Sequence, residues 1–125
     1  MSETIRVSTL GKTWILDLDG TIVKHNGYKL DGHDVLLPGA EEFLANIRPN
    51  DMVVFITSRT EECREMTLAF LNEHKIRYDH IIFNAPYGER ILVNDRKPSG
   101  LPTAIAINTQ RDQCTEVLFE EDETI

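Results

Sequence analysis

Residues 13–21 read Thr13-Trp14-Ile15-Leu16-Asp17-Leu18-Asp19-Gly20-Thr21. An apolar run ends in two aspartates two positions apart, and a turn follows. Trp14, Ile15 and Leu16 have the character of a buried strand, and buried strands avoid carboxylates. Two acids at the carboxyl end of such a strand need a reason: a metal ion, a nucleophile, or both. Side chains alternate across a strand, so Asp17 and Asp19 face one way and Leu18 faces the core. Gly20 then permits a sharp turn beside them. The stretch predicts two carboxylates on one side of a strand end, next to exposed backbone groups.

The rest of the chain alternates strand and helix signals around this one. Residues 12–18 form the first expected strand. Residues 22–37 are rich in turn formers, with Asn26-Gly27 as a hairpin-turn signal, and predict a short flap too polar for a core element. Residues 40–47 read as a helix with Phe43, Leu44 and Ile47 on one face, stopped by Pro49. Met52–Ile56 is a buried strand with Thr57-Ser58-Arg59 at its end. Thr60 opens a helix to about Lys75 that buries Cys63, Met66, Phe70 and Leu71. Further strands are expected at 78–83, 90–93 and 103–107, with a weak edge strand at 116–120. Strands separated by helices imply a parallel sheet, in which ligands bind outside the carboxyl ends of the strands. Asp17/Asp19, Thr57/Ser58/Arg59 and Asn94/Asp95 all fall at such ends and are expected to converge on one crevice.

Bulk properties set the frame. The chain has 125 residues, which suits a single domain, 1–125, with a core at about 12–107 and an extension at 108–125. No stretch approaches the ~20 apolar residues of a membrane span, and Met1–Gly11 lacks a signal-peptide core. Cys63 and Cys114 read as reduced thiols, and with the missing leader they point to the cytoplasm. The net charge is −8, and Glu116, Glu120, Glu121, Asp122 and Glu123 make the tail acidic. A surface of this sign repels polyanions and argues against nucleic acid as a partner. The four histidines show no ligand spacing.

In this order, the three motifs resemble those of the haloacid dehalogenase (HAD) superfamily of phosphotransferases. Its first motif, two aspartates around one residue and then x-Thr, is matched by Asp17, Asp19 and Thr21. Its second, a Ser or Thr ending an apolar strand, is matched by Thr57. Its fourth, an acidic pair, is matched by Asn94-Asp95, with an amide in place of the first acid. Pro38-Gly39-Ala40-Glu41-Glu42-Phe43-Leu44 is similar to the family's first helix. The family's third motif, a lysine before the fourth strand, is absent: Asn84-Ala85-Pro86 puts Ala85 in its place. Lys97 and Arg59 are the substitutes the sequence offers.

The resemblance implies a three-layer Rossmann-like α/β fold, a parallel sheet with a short flap after the first strand and no large cap. It also implies a Mg²⁺-dependent phosphatase. Asp17 would be the nucleophile, Asp19 the proton donor and acceptor, Thr57 a phosphoryl ligand and Lys97 the balancing cation. Gly20, Ser58 and Arg59 would bind substrate, and Asp17, Asp19 and Asp95 would hold the metal. A capless site is open and accepts a lid from a second copy, so a homo-oligomer is admitted. The local sequence looks most like small HAD proteins of bacterial surface-polysaccharide synthesis, which makes a phosphorylated sugar or small polar metabolite the expected substrate. Two alternatives stand beside it. One is a polynucleotide 3′-phosphatase, from the Asn94-Asp95-Arg96 ending. The other is a phosphate- or metal-binding module without turnover, from Ala85.

Overall fold

The computed structural model describes residues 3–125. In chain order the elements are strand β1 (Thr4–Val7), strand β2 (Thr13–Asp17), helix α1 (Gly27–Leu30), helix α2 (Ala40–Ala45) and strand β3 (Met52–Ile56). They continue with a 3₁₀ turn (Glu61–Cys63), helix α3 (Arg64–Glu73), strand β4 (His80–Ile82) and strand β5 (Leu118–Glu121). The fold is α/β, with parallel strands in two small sheets. The described residues form two compact units, residues 11–86 with 109–115, and residues 3–10 with 87–108 and 116–125.

The larger unit holds the three-stranded sheet, ordered β2-β3-β4. Trp14 pairs with Val53, Leu16 with Phe55 and Asp17 with Ile56. Paired residues share a face in a parallel sheet, and the Trp14, Leu16, Val53, Phe55 and Ile81 face carries the core. Ala40, Phe43 and Leu44 of α2 and Phe70 and Leu71 of α3 belong to the same cluster. The opposite face is left open, with Ile15, Met52 and Ile82 at 48%, 43% and 50% exposure. Helices α2 and α3 thus pack with the core face of this sheet.

Local departures from the sequence reading have physical causes. The flap is formed, but Ile22 and Val23 are fully buried, so it contributes to the core instead of lying outside it. Val23 bridges Asp19 on one side and Leu36 on the other. Asn26 takes a left-handed conformation at φ 56° and leads into α1, so a helical turn closes the flap in place of a tight hairpin. In α3, Met66 is 39% exposed and Thr67 is buried in its stead. Thr67 and Leu71 lie four apart and share the inward face.

Asp51 pins the start of the sheet. It is buried and accepts hydrogen bonds from the Lys12 N–H at 3.0 Å and from Trp14 Nε1 at 3.0 Å. Burial opposes its ionisation, but the bonds from Trp14 and Lys12, with Arg48 nearby, win and hold the carboxyl below its usual value. A depressed folded-state value means the stabilisation is present above the unfolded pKa, near 3.9, and is lost as pH falls through the folded value. Asp51→Ala is expected to cost about 1–3 kcal/mol at pH 7 and to lose that deficit in acid. Denaturant melts followed by Trp14 fluorescence at pH 7 and pH 3 check this; an equal deficit at both would refute it.

The smaller unit is a two-stranded parallel sheet in which Thr4 pairs with Leu118 and Val7 with Glu121. Arg6 ion-pairs with Asp122. The sequence reading placed the first strand at 12–18 and missed Thr4–Val7, whose short mixed run carries no clear period. The expected edge strand at 116–120 is present as β5. The strands expected at 90–93 and 103–107 are not formed in this structure. Ile91 and Val93 are 84% and 89% exposed, so their apolar side chains lack the partner strand that a buried run requires.

Candidate active site

The parallel register sets Asp17 beside Ile56, so the carboxyl ends of β2 and β3 open side by side. Adjacent strands lie about 4.8 Å apart, which brings Asp17 and Thr57 to neighbouring positions. Asp17 is half-buried and accepts a hydrogen bond from the Thr21 hydroxyl at 3.1 Å. Leu18 is 1% exposed, as the alternation of the strand demands. Its carbonyl accepts the Ile22 and Val23 N–H groups, both at 3.0 Å, and curls the chain back on itself. Gly20 sits in this curl at φ 85°, where a side chain is strained. The curl takes the Leu18 carbonyl and the Gly20 N–H and leaves the Asp19 carbonyl outside its hydrogen bonds.

Arg59 is the hub of the site. It is buried, and its guanidinium makes five hydrogen bonds. Nε donates to Asp19 Oδ2 at 3.0 Å and Nη2 to Asp19 Oδ1 at 2.9 Å, a parallel fork. Nη1 and Nη2 donate to Asp34 at 3.0 and 2.6 Å, and Nη1 also donates to Thr67 Oγ1 at 2.9 Å. A guanidinium has five N–H donors, so all are engaged within the protein. The Tyr28 ring lies 4.1 Å from the guanidinium carbon and shields it. Burial works against the charge, but the bonds to Asp19 and Asp34 overcome it and hold Arg59 firmly protonated. Burial also pushes the Tyr28 phenol up, which keeps it neutral. Contact of Arg59 with a substrate would require one of these five bonds to be given up.

Thr57 is buried, and its Oγ1 accepts the Arg59 N–H at 3.1 Å, which leaves the hydroxyl hydrogen to donate. The Ser58 hydroxyl reaches the Pro86 carbonyl at 3.5 Å. The 84–86 turn folds against this loop: Asn84 N–H bonds to the Arg59 carbonyl at 2.8 Å and Ala85 N–H to the Thr57 carbonyl at 3.1 Å. Ala85 therefore lies beside the site and brings no charge to it.

Residues 109–115 close over the Gly20 curl. Asp112 N–H donates to the Gly20 carbonyl at 2.8 Å, and Asp112 Oδ1 accepts the His25 N–H at 2.6 Å. Cys114 packs against the core, and burial pushes its thiol up. Asp95 and Lys97 belong to the other unit. There the Asp95 carbonyl accepts the Thr103 hydroxyl, and the Lys97 N–H bonds to the Leu101 carbonyl at 2.9 Å. Among the described residues, no three His, Cys, Asp or Glu side chains gather as a metal cluster.

Sequence reasoning missed Asp34, Tyr28, Thr67 and the 109–115 turn. The flap residues looked polar and loop-like, and their partner Arg59 is 25 and 40 positions from its two acids. No periodicity marks such pairs.

The chain matches no protein family profile and no curated protein. Among solved structures it is similar to a chain in the structure of the Pnkp1/Rnl/Hen1 complex. The identity is 26% and the TM-score 0.52, over 68% of this chain and 32% of that one. A chain in the structure of the Pnkp1/Rnl/Hen1 RNA repair complex is similar at 26% identity and TM-score 0.52, over 69% and 30%. This chain thus spans about a third of the length of those it resembles. No helix of the described residues is long and apolar enough to cross a membrane.

Proposed function

We propose that the chain is a HAD-type phosphomonoester hydrolase built on a Rossmann-like core. The observation that carries this is the pairing of β2 and β3, which sets Asp17 beside the Thr57 loop while Arg59 fixes Asp19 next to both. A carboxylate nucleophile, a second carboxylate in a set orientation and a hydroxyl donor are the groups that these residues bring to a two-step displacement at phosphorus. Asp17 attacks phosphorus and forms an aspartyl-phosphate. Asp19 exchanges a proton with the leaving oxygen and then with the water that splits the intermediate, which requires one of its oxygens to leave the Arg59 fork and carry the proton in the first step. Thr57 donates to a phosphoryl oxygen. The Arg59 fork removes the rotational freedom of the Asp19 carboxylate.

The donor set fits Mg²⁺, which prefers oxygen ligands: the Asp17 carboxylate and the uncommitted Asp19 carbonyl are both of this kind. Asp95, the third ligand that the sequence resemblance implies, belongs to the other compact unit. A bound Mg²⁺ would offset the repulsion between Asp17 and a phosphate dianion. Phosphate release from p-nitrophenyl phosphate in 5–10 mM-scale Mg²⁺ is expected to fall at least ~100-fold in excess chelator and to return when Mg²⁺ is restored. Equal rates with and without chelator would overturn the metal assignment.

A phosphorylated polynucleotide end is the substrate class supported by the likeness to a chain of an RNA repair complex. A phosphorylated sugar rests on the sequence resemblance alone. Release of phosphate from a 3′-phosphorylated oligonucleotide, set against a panel of sugar phosphates, separates the two.

A further inference from the structure

Among the described residues, the arginine at the hub of this site is fully engaged within the protein. Arg59 has no N–H left, and Ala85 stands where a lysine is expected. Lys24 is paired with Asp31 at 2.9 Å and Arg64 with Glu61 at 2.6 Å. One basic side chain of the same unit is different. A Cβ on Gly20 would lie 3.5 Å from Arg111 Cγ, so the stem of Arg111 runs against the open face of the glycine that follows Asp19. Arg111 is exposed, and none of the described carboxylates pairs with it.

This placement is built rather than incidental. Asp112 holds a left-handed conformation at φ 65°, which Asp tolerates better than most non-glycine residues. Its bonds to Gly20 and His25 hold the turn in place. Cys114 anchors the other end of the turn in the core. A Cβ at position 20 would meet Arg111 and His25 only at ordinary van der Waals distances, so it is the φ of 85° that calls for glycine there.

We propose that Arg111 is the anion-binding residue of this site and takes the place of the lysine missing at position 85. Its ligand is a phosphate dianion, met by the guanidinium beside the Asp17–Gly20 curl. Arginine suits this role because its planar fork matches two phosphate oxygens at once. The inference rests on the phosphohydrolase reading for its catalytic consequence, but not for binding.

The test uses the full chain with Mg²⁺ and two readouts: inorganic phosphate affinity by calorimetry, and kcat/KM for p-nitrophenyl phosphate. Arg111→Ala is expected to weaken phosphate binding and to lower kcat/KM, each by about tenfold or more, with Arg111→Lys recovering part of both. Asp112→Ala, which frees the turn but keeps the arginine, is expected to fall between. If the native chain turns over and folded Arg111→Ala matches it in both readouts, the inference is overturned and the phosphohydrolase reading stands. If the native chain binds phosphate without turnover and Arg111→Ala weakens that binding, the inference holds and the hydrolase reading fails. A native chain that neither binds nor hydrolyses overturns both.

Discussion

Asp17→Asn is expected to lower the hydrolysis of p-nitrophenyl phosphate by at least ~10³-fold while the protein stays folded. An amide oxygen cannot displace the alcohol, so the covalent route is closed. The structural cost is small, because Asp17 is half-buried and its bond from the Thr21 hydroxyl can be accepted by the amide oxygen as well. The melting temperature should therefore move by only a few degrees, on the order of a sub-kcal/mol change in stability. Steady-state kinetics and thermal melts on the same preparation check both halves. Retention of more than a tenth of the native rate would remove Asp17 from the nucleophile's role.

Arg59→Ala is the substitution with the largest expected effect on stability. It strips both buried ion pairs at once and leaves Asp34, nearly inaccessible, without a counter-charge. Breaking a buried pair by removing one partner costs about 3–5 kcal/mol, because the remaining charge is stranded away from water. A fall in melting temperature of more than about 10 °C is expected. The double variant Arg59→Ala/Asp34→Asn should recover part of that loss, since it removes the stranded charge. Arg59→Lys should recover little: one ammonium offers three donors against the five that Asp19, Asp34 and Thr67 accept. An unchanged melt for Arg59→Ala would show that the buried cluster does not hold the flap.

The first strand and its two acids were legible because their chemistry is local. An apolar run, a two-residue period and a glycine are all read within nine positions, and Leu18 and Asp17 take the faces the alternation assigns. Met52–Ile56 was legible as a strand for the same reason, although only Val53 and Phe55 are buried and Met52 is exposed. The Arg59 cluster was not. Arg59 reads in the sequence as a substitute cation and a substrate-binding residue, yet its acids arrive from the end of another strand and from the flap. Arg111 was hidden more deeply, since only the fold of the 109–115 turn brings it to Gly20. The runs at 90–93 and 103–107 show the converse limit: apolar composition specifies burial only when a partner strand is present, and here Ile91 and Val93 remain exposed.

The curl after β2 and the loop after β3 are joined by the Asp19–Arg59 fork, and this bears on how the sheet finds its alignment. Sliding β2 by one position against β3 would invert every side chain of β2, sending Leu18 outward and carrying Asp19 away from the guanidinium. Arg59 would then be enclosed with half its counter-charge gone. The misaligned sheet is thus penalised twice, once through lost apolar contact and once through an unneutralised ion. The charged cluster that orients the Asp19 carboxylate also acts as a check on strand alignment, because only the native pairing of Asp17 with Ile56 lets both conditions be met.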